Sequence, residues 1–325
     1  MKTIYSLLLS VALIAIADRC VVAQMPQLKR IGLLTLVPSR NGDLNLEHQP
    51  FLDTLRELGY IEGKTVLIDY GIANEEDNNL PDVAAELVRL KVSIIVAQGP
   101  PEISAAIKMT KTIPIVMVGG GNPVDRGFVT SLTRPGGNVT GLSSDAVGLR
   151  GKRLELFKEA FSSISRVAVL NPDYKRKGRT AGYESEAKVI GVDLQVVAVD
   201  SHRDLERAFS KIVTIRSDAL IAVRHNLTRR YAAQIAEFAV KKRLPSMFES
   251  AEFVKVGGLM SYGVSHALLW RGAAAYVDKI LKGANPATLP VEPPQLELVV
   301  NLATAKKLGV KIPPEILLEA NEVIK

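Results

Sequence analysis

Apolar residues recur along this chain in two alternating patterns. Short runs of mostly branched apolar residues alternate with longer stretches in which apolar residues return at helical spacing. The first pattern is typical of strands buried on both faces, and the second is typical of amphipathic helices. The apolar runs lie at 30–36, 65–70, 92–97, 113–118, 166–170, 192–199, 219–223, 258–263 and 295–301. Because helical stretches separate most of these runs, the pattern predicts an α/β protein with parallel sheets.

The alternation pauses around residues 134–143 and then starts again. We therefore predict two doubly wound halves of similar design, joined near residues 139–145. In open parallel sheets, ligands bind beyond the carboxyl ends of the strands. That rule places the following candidate ligand contacts along a common edge: Ser39, Gln98, Gly99, Pro100, Gly120, Asn122, Asn171, Tyr174 and Arg224.

The first 23 residues have the pattern of a secretory signal peptide. Lys2 gives a positive start, residues 5–17 form an apolar stretch, and residues 21–23 (VVA) resemble a cleavage site. The apolar stretch is too short to span a bilayer comfortably. We therefore predict an exported, periplasmic protein. The single cysteine, Cys20, lies inside this leader, so the rest of the chain must be held together by its core rather than by disulfides.

The composition argues against a nucleic-acid partner. The chain has 325 residues, 47% of them hydrophobic, and a formal net charge of +7, which is ordinary for a globular protein. A mild basic excess indicates solubility and is compatible with anionic ligands. Basic and aromatic residues do not interleave along one element, as a nucleic-acid surface would require, so we predict no nucleic-acid partner.

Motifs for catalysis are absent from the sequence. The segment 119–127 (GGGNPVDRG) lacks the lysine of a P-loop and the third glycine of a dinucleotide fingerprint. The four histidines show no metal-ligand spacing, and residues 141–145 (GLSSD) do not form a nucleophile elbow. We predict no catalytic residue, no cofactor and no metal. The glycines either let backbone amides approach a bound solute or form a tight strand-to-helix turn, and both interpretations stay open.

Basic and aromatic residues at the predicted edge suggest what could be bound there. Arg224 and the basic run 175–179 each follow a predicted strand, where an anion would be favoured, although the run is also typical of a solvated loop. Tyr174, Phe248 and Tyr262 could stack on a flat ligand, which contributes about 0.5–1.5 kcal/mol beyond burial. Core packing is the alternative for Phe248.

Several segments, taken in order, resemble one protein family. They lie at 51–64 (FLDTLRELGYIEGK), 80–96 (LPDVAAELVRLKVSIIV), 134–143 (RPGGNVTGLS), 252–263 (EFVKVGGLMSYG), 273–289 (AAAYVDKILKGANPATL) and 296–308 (LELVVNLATAKKL). This series is similar to the bacterial ABC-transporter substrate-binding proteins of the tryptophan-binding-like group. The similarity runs through nearly the whole chain after the leader.

The resemblance implies a two-lobed type I periplasmic binding protein, without catalytic activity, that closes around a solute and presents it to the transmembrane subunits of an ABC permease. The implied first lobe is 29–142 plus 264–285, and the second is 143–263 plus 286–325. The lobes would be joined by a hinge of three crossings, near 142, 264 and 286. Hinge motion needs only a few residues that absorb dihedral change, and the candidates are Gly141, Gly263 and Gly283. Ser143, beside the first crossing, is a further candidate ligand contact.

Departures from the family pattern bear on the ligand. Residues 99–101 (GPP) replace the usual Gly-Thr-Pro, 122–124 (NPV) replace Asp-Pro-Val, and 224–226 (RHN) replace an Asp-Pro segment. The last two changes remove negative charge or add positive charge. We therefore expect a small organic acid or aromatic carboxylate first and an amino acid such as tryptophan second, bound by a monomer. Two other classes stay open: a secreted α/β hydrolase using Ser143 or Glu249, and a sensory binding module for a receptor.

Overall fold

The computed structural model describes residues 28–37, 45–74, 78–172 and 181–325. The predictions for the signal peptide, Ser39, Tyr174 and the basic run 175–179 concern residues outside these ranges. The described residues form two separate β-sheets, called sheet 1 and sheet 2 below.

Sheet 1 has five strands in the described part of the chain, in the order β2-β1-β3-β4-β5, and is parallel throughout. Its strands are β1 (Lys29–Val37), β2 (Val66–Asn74), β3 (Ile94–Gln98), β4 (Ile115–Val118) and β5 (Val139–Leu142). The intervening helices are α1 (Asn45–Glu57), α2 (Leu80–Arg89) and α3 (Gly99–Met109). Parallel strands joined by helices bury both faces of the sheet, which explains their continuous apolar runs.

Sheet 2 has seven described strands in the order β12-β11-β10-β9-β8-β6-β7, and only the β10–β11 pair among them is antiparallel. Its strands are β6 (Arg166–Asn171), β7 (Asp193–Ala198), β8 (Ala219–Ala222), β9 (Ser246–Phe248), β10 (Met260–Val264), β11 (Leu296–Asn301) and β12 (Glu322–Ile324). Its helices are α4 (Leu149–Ala160), α5 (Ala181–Ile190), α6 (Leu205–Thr214), α7 (Asn226–Arg230), α8 (Ala232–Lys241), α9 (Ala251–Lys255), α11 (Leu302–Leu308) and α12 (Pro314–Glu319). Of the helices that the structure describes, none is long and apolar enough to cross a membrane.

Helix α10 (His266–Leu281) starts at the end of β10 in sheet 2 and packs against sheet 1. Its Trp270, Ala273 and Val277 are buried in the same core as Phe51 and Leu142. Their spacing of three and four residues places them on one face of the helix. The two sheets are therefore connected through a shared core as well as through the chain.

The segment 287–292 is hydrogen-bonded to the sheet 1 side of the molecule. The Thr140 hydroxyl donates to the carbonyl of Leu289 at 2.6 Å, and the Glu292 amide donates to the carbonyl of Gly141 at 3.0 Å. Three residues further on, the carbonyl of Gln295 accepts from the Ser265 amide at 2.9 Å, beside the β10–β11 pair. These bonds favour a third crossing between residues 292 and 295 rather than near 286. The lobe boundaries themselves remain a prediction.

Two of the candidate hinge glycines lie where strands approach closely. Gly141 has φ +125°, and a Cβ there would collide with the carbonyl oxygen of Met117. A Cβ on Gly263 would collide with the carbonyl oxygen of Glu249. Only glycine avoids both the strain and the collision at Gly141. The part that either residue plays in lobe closure stays a prediction.

The prediction of an α/β protein with parallel sheets is confirmed. The sequence pattern missed β5, β9 and β12, which have only three or four residues each. A strand of three residues gives only a short apolar run, and β9 and β12 also contain the polar residues Ser246 and Glu322. In β5 the apolar run is also interrupted by the buried Thr140 and by Gly141.

Candidate functional site

A cavity of about 900 Å³ lies where the segment that follows β5 meets the carboxyl ends of β8, β9 and β10. One side is formed by the segment 144–153, which includes the first turn of α4. Described residues from the rest of the chain complete the lining: Glu155, Ser185, Glu186, Arg224, Glu249, Tyr262, Val264, His266 and Leu296. The cavity therefore lies at the strand ends where parallel sheets bind ligands.

The floor of the cavity contains a buried ion pair between Arg153 of α4 and Glu249, which follows β9. The Arg153 side chain is 2% exposed, and its Nη1 donates to Glu249 Oε1 at 2.9 Å. The same guanidinium donates through Nη1 to the hydroxyl of Tyr183 and through Nε to the carbonyl of Tyr262, the latter at 2.6 Å. Arg153 thus links α4, α5 and the strands β9 and β10 at one point.

Glu249 accepts two further hydrogen bonds. The Tyr183 hydroxyl donates to Oε1 at 2.8 Å, and the backbone amide of Arg224 donates to Oε2 at 2.9 Å. Burial by itself would raise the pKa of the Glu249 carboxyl, but the charge of Arg153 and these two donors together hold that pKa below its ordinary value. Burial also raises the pKa of the Tyr183 hydroxyl. Glu249 is therefore a carboxylate, and Tyr183 is a neutral donor to it.

Arg150, in the first turn of α4, also lines the cavity. Its Nε is buried, and no described residue accepts a hydrogen bond from it. Other basic residues of the lining have carboxylate partners: Lys152 lies 3.5 Å from Glu155, and Arg224 Nε donates to Glu252 at 3.1 Å. A buried guanidinium nitrogen without an acceptor is costly. Arg150 as a whole is half-buried and lines the cavity, so it is a positive group that a bound molecule can meet there.

His266 begins helix α10 and faces the same cavity. Burial, and then the positive charges of Arg224 and Arg229, hold the pKa of its imidazole well below the ordinary value. His266 is therefore neutral near physiological pH and can both donate and accept a hydrogen bond.

The described lining is balanced in charge. It contains four acidic residues, Asp145, Glu155, Glu186 and Glu249, and four basic residues, Arg150, Lys152, Arg153 and Arg224. With His266 neutral, these groups carry no net formal charge. A balanced lining suits a solute that is itself neutral or zwitterionic, because a strongly anionic solute would meet four carboxylates. No group of three or more His, Cys, Asp or Glu side chains that could hold a metal lies in the part of the chain that the structure describes.

The glycine loop, residues 119–122 after β4, is fastened to the neighbouring segment instead of facing the cavity. The amides of Gly120 and Gly121 donate to Ser144 Oγ at 3.4 and 3.0 Å. Ser143 Oγ donates to the Gly121 carbonyl at 2.9 Å and accepts from the Asp145 amide at 2.9 Å. These polar groups therefore bind one another in this structure, and the prediction that the amides and the Ser143 hydroxyl contact a solute stays a prediction.

Asn122 has a similar local role. Its Oδ1 accepts from the amides of Val124 and Asp125 at 3.1 and 3.2 Å. This is the turn-forming use of an asparagine side chain, which mimics a backbone carbonyl. The glycine-rich segment is thus a tight turn with its own hydrogen bonds, which was the second of the two interpretations.

The other predicted contacts are distributed unevenly. Arg224 and Tyr262 line the cavity, whereas Gln98, Gly99 and Pro100 do not. Gln98 Oε1 accepts from the Thr35 hydroxyl at 3.4 Å, and Gly99 and Pro100 form the first turn of α3. Asn171 is buried at the end of β6, and no described residue donates a hydrogen bond to its Oδ1.

Phe248 is a core residue. Its ring is fully buried and stacks on Phe253 at 4.9 Å between ring centroids. A ring without an exposed face cannot stack on a ligand, so the predicted stacking role is wrong and the core-packing alternative is correct.

Arg150, Arg153 and His266 were not predicted, and Glu249 was named only as a possible hydrolase residue. One sequence signal was available for Arg153. The buried residues Arg153, Leu156, Phe157 and Ala160 of α4 follow helical spacing, so the arginine falls on the apolar face of the helix. An arginine on that face needs a buried partner, because an unpaired charge is rarely buried.

Comparison with known proteins agrees with this architecture. The family model for ABC transporter substrate binding proteins matches residues 36–324. The chain is 26% identical to a tyrosine-binding protein of Clostridioides difficile (strain R20291) over 286 residues, which are 87% of this chain and 81% of that protein.

Solved structures show the same two-lobed α/β fold. A conserved domain protein of Vibrio cholerae O1 biovar El Tor superposes with a TM-score of 0.76 at 26% identity, covering 91% of this chain and 99% of that one. An ABC domain of Streptococcus pneumoniae in complex with L-Trp superposes with a TM-score of 0.76 at 25% identity, covering 91% of this chain and 100% of that one. The fold expected of a type I periplasmic binding protein is therefore confirmed. On this combination of fold, cavity and family match, the chain belongs to the ABC transporter substrate-binding protein family.

Proposed function

We propose that this protein captures a small solute bearing a carboxylate in the cavity between α4 and the strand ends of sheet 2. In this proposal it acts as the monomeric, periplasmic subunit of an ABC importer and delivers the solute to the transmembrane permease. Family membership supports the role of substrate binding. The predicted signal peptide, residues 1–23, supports export.

The observation that carries the proposal is the position of Arg150, a half-buried guanidinium that lines the cavity in the first turn of α4. A guanidinium presents its N–H groups in a planar fork that matches the two oxygens of a carboxylate. A bound carboxylate would satisfy Arg150 and would lie beside the amides that open helix α4, where negative charge is favoured.

α-Amino acids with an aromatic side chain are the first class of solute in this proposal, and organic acids are the second. The order reverses the one expected from the sequence for two reasons. The described lining is balanced in charge, which favours a zwitterion over an anion. In addition, one relative is a tyrosine-binding protein and a related structure contains L-Trp. Tyr262, which lines the cavity, is placed to contact an aromatic ring.

Calorimetric titration and thermal unfolding test the proposal. The purified protein is first unfolded and refolded to remove any solute that copurifies. It is then titrated with L-tyrosine, L-tryptophan and their deaminated analogues, 3-(4-hydroxyphenyl)propionate and indole-3-propionate. We expect at least one of these four compounds to bind saturably. At a concentration of 100 times its Kd, it should raise the free energy of unfolding by about 2.7 kcal/mol. Failure of all four to bind, or conversion of any of them to product, would contradict the proposal.

A further inference from the structure

We infer that Glu249 is the specificity-determining residue of this cavity, that it takes a protonated amino group of the solute, and that Arg153 is the positioning residue that orients it. This inference rests on the proposed function, because it names the second group of the solute that Arg150 would hold by its carboxylate. It implies that the cavity binds α-amino acids more tightly than organic acids that lack the amino group.

The first step is the acceptor capacity of the Glu249 carboxylate. An ionised carboxylate offers about four lone-pair positions, two on each oxygen. Oε1 already accepts from Arg153 and from the Tyr183 hydroxyl, and Oε2 accepts from the Arg224 amide. Among the described residues, one acceptor position thus stays unused, and it is on Oε2.

The second step is access. Glu249 lines the cavity, and its side chain is 14% exposed although three donors surround it. Arg153 also lines the cavity, but its side chain is only 2% exposed, so Glu249 is the more accessible member of the ion pair. A donor that enters the cavity can therefore reach the carboxylate. A protonated amine is the donor that gains most, because a charge-assisted hydrogen bond to a carboxylate is about twice as strong as a neutral one.

The third step is the relation between Glu249 and Arg150. Arg150 is close enough for its positive charge to act on the Glu249 carboxyl, yet its Nε has no acceptor in the described part of the protein. Two opposite charges therefore stand near each other without a bond between Arg150 Nε and the carboxylate. An α-amino acid carries an ammonium and a carboxylate on one carbon atom, and Glu249 and Arg150 offer one partner of opposite charge for each group in the same cavity.

The fourth step is the role of Arg153. Its guanidinium binds Glu249, the Tyr183 hydroxyl and the Tyr262 carbonyl at once, so it fixes the carboxylate relative to three elements. It contacts no solute in this scheme. It acts only through Glu249, by occupying Oε1 together with the Tyr183 hydroxyl, so that the remaining acceptor position is on Oε2.

Paired solutes test the inference. Kd is measured for L-tyrosine against 3-(4-hydroxyphenyl)propionate and against 3-(4-hydroxyphenyl)lactate, and for the corresponding tryptophan series. We expect the unaltered protein to prefer each amino acid by about tenfold or more over both analogues. In Glu249→Gln, which keeps the shape and loses the charge, that preference should fall to within about threefold. Equal affinity for the amino acid and either analogue in the unaltered protein would overturn the inference.

Substitutions at both members of the ion pair distinguish an effect on solute preference from an effect on protein stability. Glu249→Gln leaves Arg153 buried without its ion-pair partner, so the double variant Arg153→Met with Glu249→Gln is measured beside it, because a buried pair replaced on both sides is often tolerated. Both should lose the preference while still binding the deaminated acid. Arg153→Lys, which keeps the positive charge, should retain more of the preference than the double variant. If a folded double variant still prefers the amino acid tenfold, the inference is wrong.

A pH series on the unaltered protein gives a readout that needs no substitution. Affinity for the amino acid should fall as the pH rises through the pKa of the solute's own amino group, whereas affinity for the deaminated acid should not follow that titration. If neither amino acid nor deaminated acid binds at any pH, the proposed function fails. If both bind equally at every pH, the carboxylate function stands and the role of Glu249 fails.

Discussion

Two regions of the molecule are candidates for the surface that contacts the solute, and their polar groups have different hydrogen-bond partners. In the glycine loop (residues 119–122), the amides of Gly120 and Gly121 already donate to Ser144, and the Asn122 side chain closes its own turn. The charged wall, defined as Arg150, Arg153 and Glu249, keeps a buried guanidinium nitrogen without an acceptor among the described residues. A position at a strand end is common to both regions. The two regions differ in that Arg150, Arg153 and Glu249 line the cavity and residues 119–122 do not.

The largest expected effect is on stability, from Arg153→Met. The substitution leaves Glu249 as a buried carboxylate without its cation, and breaking a buried ion pair on one side costs about 3–5 kcal/mol. Urea unfolding followed by circular dichroism measures the loss. The control is Arg166→Ala, whose exposed ion pair with Asp193 should be worth about 1 kcal/mol or less. Equal losses for the two variants would mean that the charged wall is not a structural element.

The next effect is on affinity, from Arg150→Ala. If Arg150 binds the carboxylate of the solute, Kd should rise about 10- to 100-fold, because a hydrogen bond to a charged group contributes about 1.5–3 kcal/mol. The free energy of unfolding should change by about 0.5 kcal/mol or less, since no described acceptor loses a bond from Nε. Calorimetric titration and urea unfolding measure the two quantities.

Arg56→Ala is the matched control for Arg150→Ala. Arg56 carries the same charge, but it is exposed on α1 and pairs with Asp53, away from the cavity. It should leave Kd unchanged within about twofold. A similar rise of Kd in both variants would indicate a general effect of net charge, and an unchanged Kd in Arg150→Ala would exclude this residue as the anchor.

The same contrast explains what the sequence could predict. Continuous apolar runs separated by helical stretches determine a parallel α/β fold, and they were sufficient to locate most strands. Of the contacts expected from the edge rule, Arg224 and Tyr262 line the cavity, whereas Gly120, Asn122 and Ser143 are hydrogen-bonded within the protein. Their contacts with a solute stay predictions. The sequence could not anticipate this division, because it depends on contacts between distant segments such as Gly121 and Ser144.

Phe248 and Arg153 illustrate two further limits. The sequence around Phe248 is compatible with either a stacking ring or a core ring, and only the packing against Phe253 decides between them. Arg153 falls on the apolar face of α4, but its partner Glu249 lies 96 residues away in the chain. Helical spacing can therefore indicate that an arginine is buried, whereas the identity of its partner requires the fold.

A moderate effect is expected from Ser144→Ala on the side of the glycine loop. The amides of Gly120 and Gly121 would lose the hydroxyl that accepts from both, and a polar group left unsatisfied costs about 1–3 kcal/mol when it is buried. We expect a loss of about 1–2 kcal/mol in urea unfolding, with a smaller change in Kd than Arg150→Ala produces. Ser163→Ala, at an exposed position, should be neutral within about 0.5 kcal/mol. A larger effect on Kd than on stability would indicate that the glycine loop is part of the ligand site.

The smallest expected effect is the pH dependence contributed by His266, and it tests whether this imidazole is buried beside positive charge in the cavity. Burial and the charges of Arg224 and Arg229 lower the pKa of His266 in the folded protein, whereas an unfolded histidine titrates near about 6.5. On acidification the unfolded chain therefore takes up the proton first, and stability falls as the pH drops below that value. Linkage gives a loss of about 1 kcal/mol between pH 7 and 5.5, which urea unfolding at each pH can measure and which His266→Gln should remove. If His266→Gln and the unaltered protein lose stability in parallel over this range, then neither burial nor the charges of Arg224 and Arg229 lower the pKa of this imidazole in the folded protein.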